Sequence, residues 1–180
     1  ALTGTRPSLA GTIAMPLRKA PAKGNAIVTI EGACDRPRGF SSQDLVGVHR
    51  YYQVEDISKI DERLTGKGVR LRALIDEVGP SLHARYLTVR SEDGAFSACL
   101  PLGDVSRTAI VVYQKKKGAP LTREDGGPVR FIIPYFADKC ANVKAATQII
   151  LSEEPMEDTR PSNAREHEAL HAAEKAPTKG

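Results

Sequence analysis

Gly118-Ala119-Pro120-Leu121 leads into Gly126-Gly127-Pro128-Val129-Arg130, then Pro134, then Asp138-Lys139-Cys140-Ala141-Asn142-Val143-Lys144. Residues 118–127 form a polar loop punctuated by Gly and Pro. Val129-Arg130-Phe131-Ile132-Ile133-Pro134 and Ala146-Thr147-Gln148-Ile149-Ile150-Leu151 are β-rich runs. An irregular segment carrying Lys139, Cys140, Asn142 and Lys144 is therefore slung between two strands. Arg130 follows directly on a Gly-Gly-Pro turn.

The chain upstream has the same texture of short strands and turn signals. Ala26-Ile27-Val28-Thr29-Ile30 reads as a strand ending at Gly32. Arg36-Pro37-Arg38-Gly39 reads as a turn, and Phe40-Ser41-Ser42-Gln43-Asp44-Leu45 as a helix start with a Ser cap and an acid in the first turn. Val48 to Val54, with Tyr51 and Tyr52, is a β-prone run. Between Val69 and Val78 the apolar residues fall at 71, 74, 75 and 78, which is helical spacing, and Gly79-Pro80 ends it. Tyr86 to Arg90 and Ala95 to Leu100 are strands joined by the turn signal Glu92-Asp93-Gly94. A helical turn is expected over Asp104 to Thr108. Ala109-Ile110-Val111-Val112-Tyr113 is continuously apolar, the pattern of a strand covered on both faces. About seven strands and two or three short helices in mixed order predict an α+β, β-rich domain.

The 180 residues fit one domain with tails, and 41% apolar content is enough for a packed core. Residues 1–24 hold four bases and no acid, whereas 152–180 hold seven acids and four bases. The expected organisation is a flexible basic tail over 1–24, a domain over 25–152 and an acidic, largely disordered tail over 153–180, with a frayed or partner-dependent helical turn between Ala164 and Lys175. The chain begins at Ala1 without Met, as after removal of an initiator Met or a longer leader, and shows no apolar signal region.

Several functions are argued against. The basic balance is spread out, with one short run at Lys115-Lys116-Lys117, aromatics are 5% and Trp is absent, so no nucleic-acid partner is expected. No segment approaches the roughly 18 apolar residues of a transmembrane span. There is no Walker loop and no Gly-x-Ser-x-Gly elbow. Of the four His, only His167 and His171 lie four apart, in the acidic tail. Cys34, Cys99 and Cys140 are too few and scattered for a disulfide framework or a zinc site. Cys34 and Cys99 read as buried small hydrophobes. Cys140 stands beside Lys139, a cation that would lower the pKa of an exposed thiol. Three unpaired Cys suit a cytoplasmic chain, yet a removed export leader would leave no trace, and the compartment stays open.

The ordered set of an opening strand ending in Gly, a Ser-x-x-Asp-Leu helix, Gly66-Lys67-Gly68-Val69, Ser91-Glu92-Asp93-Gly94, Gly118-Ala119-Pro120-Leu121, Gly126-Gly127-Pro128-Val129-Arg130 and Asn142-Val143-Lys144 resembles the molybdopterin-binding domain of the sulfite-oxidase-like oxidoreductases over residues 26–151. The resemblance implies a mixed domain of the sulfite-oxidase molybdenum-domain type that embraces a molybdenum pyranopterin. It implies that Asn142-Val143-Lys144 approaches the pterin and its phosphate, with Arg130, Lys139 and Cys140 beside it. A phosphate needs backbone N–H groups and a cation, and Lys144 after an irregular loop supplies both. Arg130 offers a planar fork; the competing reading is a Gly-Gly-Pro sequence that only shapes a turn, with Arg130 solvated or ion-paired.

One departure bears on function. In active members of that family a Cys thiolate binds molybdenum after the strand matching His49 to Val54. Here the interval Glu55 to Thr65 contains no Cys, and Leu64 stands near the place of a frequent Trp. Carboxylates such as Glu55 and Asp56 are harder donors than a thiolate. Three functions follow: a degenerate domain acting as a ligand- or protein-binding module, an active molybdopterin-dependent oxidoreductase or subunit of one, and a structural subunit docking through its tails. The expected ligand is molybdopterin, another anion, or none; the expected macromolecular partner is a protein reached through the tails.

Overall fold

The computed structural model describes Leu17 and residues 24–161. The stretch from Ala164 to Lys175, the His167/His171 pair and most of the basic N-terminal tail lie outside the described residues.

Among the described residues, nine strands build two sheets. β1 (Ala26–Gly32), β2 (Arg38–Ser41), β5 (Tyr86–Arg90), β6 (Ser97–Pro101) and β9 (Gln148–Ser152) form a five-stranded sheet in the order β2-β1-β9-β5-β6. In it β1 and β9 are parallel, and every other pair is antiparallel. β3 (Gln53–Val54), β4 (Lys67–Arg70), β7 (Ile110–Gln114) and β8 (Arg130–Ile132) form an antiparallel four-stranded sheet in that order. The fold is the β-rich α+β arrangement that the sequence predicts.

The helices α1 (Ser42–Gly47), α2 (Leu71–Val78) and α3 (Leu102–Val105) are short. The Asp44 N–H donates to the Ser41 hydroxyl at 3.1 Å, and the Ser41 N–H donates to the Asp44 carboxylate at 2.8 Å, a reciprocal cap that starts α1. Leu71, Leu74, Ile75 and Val78 of α2 are all buried, and Gly79, with φ +65°, closes the helix in a left-handed turn.

Burial on both faces of β7 organises the core. Val111 and Tyr113 enter the main core between the sheets with Ile30, Phe40, Leu74 and Phe131. Ile110 and Val112 point the other way, into a smaller cluster with Val54, Ile57 and Ile132. Alternation along a continuous apolar run explains the pattern.

Three local expectations are corrected. Val48 to Val54 is not one strand: Arg50–Tyr52 forms a 3-10 turn begun by the Tyr51 N–H donating to His49 Nδ1 at 3.2 Å, and only Gln53 and Val54 pair. Arg38 and Gly39 belong to β2 rather than to a turn, because backbone pairing with β1 outweighs the Pro-Arg-Gly turn signal. The chain also stays packed beyond residue 152. The Thr159 N–H donates to Ser97 O at 2.9 Å, and the Ser97 N–H donates to the Thr159 hydroxyl at 2.9 Å. Arg160 then bonds Cys99 O and the Asp138 carboxylate, each at 2.9 Å.

Candidate functional site

Three segments meet where β8 begins. The loop before β8 is folded back on itself by Asp125, whose carboxylate accepts from the Thr122 N–H at 3.0 Å and the Thr122 hydroxyl at 2.6 Å and pairs with Lys115 at 2.8 Å. Lys115, then Thr122, hold that carboxyl well below the usual carboxylate range. The fold-back leaves Gly126 at φ +81°, a backbone state costly for any residue with a Cβ. Gly126 O accepts from the Ala145 N–H at 2.8 Å, and Ala145 O accepts from the Glu92 N–H at 2.8 Å. Glu92 also pairs with Arg123 at 3.2 Å. The turn at 91–94, the loop at 122–127 and the segment 142–147 are thus laced together by main-chain bonds. Ala145 itself takes φ +47°, uncommon for a residue with a side chain.

At this junction Gly126 lies against both predicted cations. A methyl group built there would stand 2.9 Å from Lys144 Cγ and 3.3 Å from Arg130 Cδ. Arg130 is half-buried, and its guanidinium makes no hydrogen bond or ion pair with any described residue. Burial lowers its pKa, opposed by the nearby Asp125 charge, but Asp125 is already held by Lys115 and Thr122. A partly desolvated planar cation with no acceptor among the described residues is chemically suited to pair with an anion.

The other predicted site residues divide. Asn142 is committed to the fold: its side-chain oxygen accepts from the Ile133 N–H at 2.8 Å. Val143 is buried and exchanges both main-chain bonds with Phe131, at 2.9 and 2.8 Å, so its N–H is not free for a phosphate. Lys139 is exposed on the 3-10 turn Lys139–Ala141. Cys140, on the same turn, is buried, and burial followed by the Asp138 charge pushes its thiol up. The exposure that activation by Lys139 requires is therefore not met.

The interval that would carry a metal-binding Cys leaves the same end of the small sheet. Val54, Gly68, Val112 and Arg130 form one cross-strand row, which sets Val54 about 14 Å from Arg130 at the usual strand spacing. Glu55, next after Val54, pairs with Lys67 at 2.8 Å. Asp56 pairs with Lys116 at 2.8 Å and accepts from the Ser58 hydroxyl at 2.5 Å; Lys116, then Ser58, bring its pKa down to about 2. Asp61 is buried, and Arg63 grips both its oxygens at 2.9 and 2.7 Å. Among the described residues no three His, Cys, Asp or Glu side chains are placed to hold a metal ion.

A cavity of about 680 Å³ opens beside this junction, bounded by Glu92, Pro128 and Thr147 and floored by Thr29, Gln148, Arg90 and Ser97. Those four floor residues are successive partners across β1, β9, β5 and β6. Sequence reading missed the roles of Glu92 and Arg123 because their link to Gly126 and Lys144 exists only in space. No helix among the described residues is long and apolar enough to cross a membrane.

Comparison with known proteins bears on the family and the fold. The chain is 30% identical over 113 residues to the uncharacterized oxidoreductase YuiH of Bacillus subtilis (strain 168), covering 59% of this chain and 55% of that protein. The fold is similar to the sulfane dehydrogenase SoxCD from Paracoccus pantotrophus, with a TM-score of 0.58 and 18% identity, over 75% of this chain and 40% of that one. The chain thus spans about half the length of these relatives or less. A family model described as the oxidoreductase molybdopterin-binding domain matches residues 17–160, and the chain belongs to that family.

Proposed function

We propose that this chain binds a molybdopterin-type ligand through the ligand's phosphate at Arg130, beside Gly126 and Lys144, and acts as a binding module without a protein thiolate on the metal. The reading is carried by the half-buried Arg130 guanidinium, which has no acceptor among the described residues, and by the packing of the Arg130 and Lys144 stems on Gly126, which keeps the two cations side by side. A guanidinium fork suits a phosphate in geometry as well as charge.

When bound with its metal, such a group supplies redox chemistry at a molybdenum oxo centre. The residues of this chain fit the pterin phosphate better than the metal. Residues 55–65 offer no thiolate, and the two carboxylates nearest that place are neutralised by Lys67 and Lys116. Cys140 is buried on a turn held by Asp138, and burial followed by the Asp138 charge raises its thiol pKa, which disfavours the thiolate. What the chain itself does is bind an anion at Arg130 and hold the approach loop in one shape through Asp125, Glu92 and Ala145.

The test is the pterin content of protein from a cofactor-making host. Wild-type chain is expected to release a fluorescent oxidised pterin on denaturation. Arg130→Gln is expected to release at least about tenfold less, the loss of one charge-assisted contact, while melting at or above the wild-type temperature without ligand. Equal pterin in both proteins contradicts the assignment of the phosphate to Arg130.

A further inference from the structure

The opposite end of the small sheet carries a second concentration of cations. β4 ends at Arg70, which pairs with Ile110, and α2 begins at the next residue. Arg107 lies on the turn just before β7, and Tyr51 and Tyr52 precede β3. These segments converge so that Tyr51, Tyr52, Arg70, Arg72 and Arg107 line a cavity of about 590 Å³, a volume in the usual range for a small-molecule site. In the four-stranded sheet it sits at the Arg70–Ile110–Ile132 end, away from the row that ends in Arg130.

The charges in this cavity are not balanced. Arg72 pairs with Asp76 at 2.8 Å. Arg70 and Arg107 make no side-chain hydrogen bond or ion pair with any described residue, although Asp104 lies only three residues before Arg107. Elsewhere Arg38, Arg63, Arg123 and Arg160 each hold a carboxylate within 3.2 Å. Three guanidinium groups around one cavity with a single carboxylate repel one another unless an anion joins them. The two rings meet edge-on, with centroids 5.2 Å apart and planes at 89°, and Tyr51 is 76% exposed. An exposed aromatic face beside arginine forks is the chemistry that takes a planar ring and its phosphates together.

We propose that this cavity binds a small phosphate ligand bearing a planar ring, of the nucleotide class, with Arg70 and Arg107 on the phosphates and Tyr51 against the ring. Titration calorimetry of the full chain at low salt tests it, with ADP, pyrophosphate and adenosine as probes. ADP binds, pyrophosphate binds more weakly and adenosine does not. Arg70→Gln and Arg107→Gln each weaken ADP at least about tenfold, as loss of a charge-assisted contact requires. Their melting curves match the wild type. Tyr51→Ala weakens ADP and leaves pyrophosphate unchanged, and Arg130→Gln leaves ADP unchanged. No heat with ADP or pyrophosphate, ADP binding that survives both arginine substitutions, or ADP binding lost in Arg130→Gln overturns the proposal.

Discussion

Gly126 and Lys144 pack so closely that the space for a β-carbon at 126 is taken by the lysine stem, at 2.9 Å from Cγ and 3.1 Å from Cβ. A Gly-Gly-Pro turn that merely reversed the chain would not need that approach. Gly126 also sits at φ +81°. Gly126→Ala is therefore expected to cost about 1–3 kcal/mol, from the unfavourable φ and the displaced lysine together. A urea melt measures it, and an unchanged midpoint and slope would show that the loop relaxes freely around residue 126.

The Asp56–Lys116 pair makes stability depend on acid. The Asp56 pKa is lowered to about 2 in the fold from an unfolded value of 3.8. A depressed carboxylate contributes fully above its unfolded pKa and loses that contribution as the pH falls towards its folded pKa. Asp56→Asn should therefore lower the melting temperature at pH 7, and the gap to wild type should close between about pH 4 and about pH 2. A gap that stays constant over that interval would mean that the carboxylate charge contributes nothing.

Burial of β7 on both faces is tested by charge. Val111 and Val112 are 1% and 0% exposed and face different clusters. An unpaired carboxylate in either place has no compensation, so Val111→Asp and Val112→Asp should each abolish the folded circular-dichroism signal. Normal folding of Val112→Asp would show that the smaller cluster is dispensable.

The segment after β9 is predicted to matter. A chain ending at residue 152 loses the Thr159–Ser97 bonds and the Arg160 contacts to Cys99 and Asp138. It should be less stable than a chain ending at 161 by about 2–4 kcal/mol, since each net hydrogen bond contributes about 1 kcal/mol and charged ones more. Equal denaturant midpoints for the two chains would show that this segment rests on β6 without stabilising it.

Much of this architecture was legible because local signals and packing agree. Period-3.6 apolar residues made α2, the reciprocal Ser41–Asp44 cap made α1, and five apolar residues in a row made the doubly covered β7. Legibility failed where a long-range bond overrode a local preference. Tyr51 and Tyr52 are β-prone, yet His49 caps a 3-10 turn there. Residues 153–161 look like a polar tail, yet their partners lie on β6, about 60 positions earlier. The candidate site follows the same division. Arg130 and Lys144 stand out by type and by the motifs around them, but their meeting across Gly126 depends on the Asp125 fold-back. Cys140 shows the limit of neighbour reasoning: the adjacent Lys139 is visible in sequence, whereas the burial, the Asp138 charge and the opposing Arg160 that act on the thiol are set by the fold.

The most direct measurement is molybdenum per chain, by elemental analysis, in protein purified from a host that makes the cofactor, alongside turnover assays on sulfite and sulfoxides. Bound pterin, clearly substoichiometric molybdenum and no turnover are expected, with Cys140→Ser leaving the pterin in place. Stoichiometric molybdenum with turnover on either substrate would contradict the proposed function, and loss of that metal in Cys140→Ser would show that the buried thiol is the ligand.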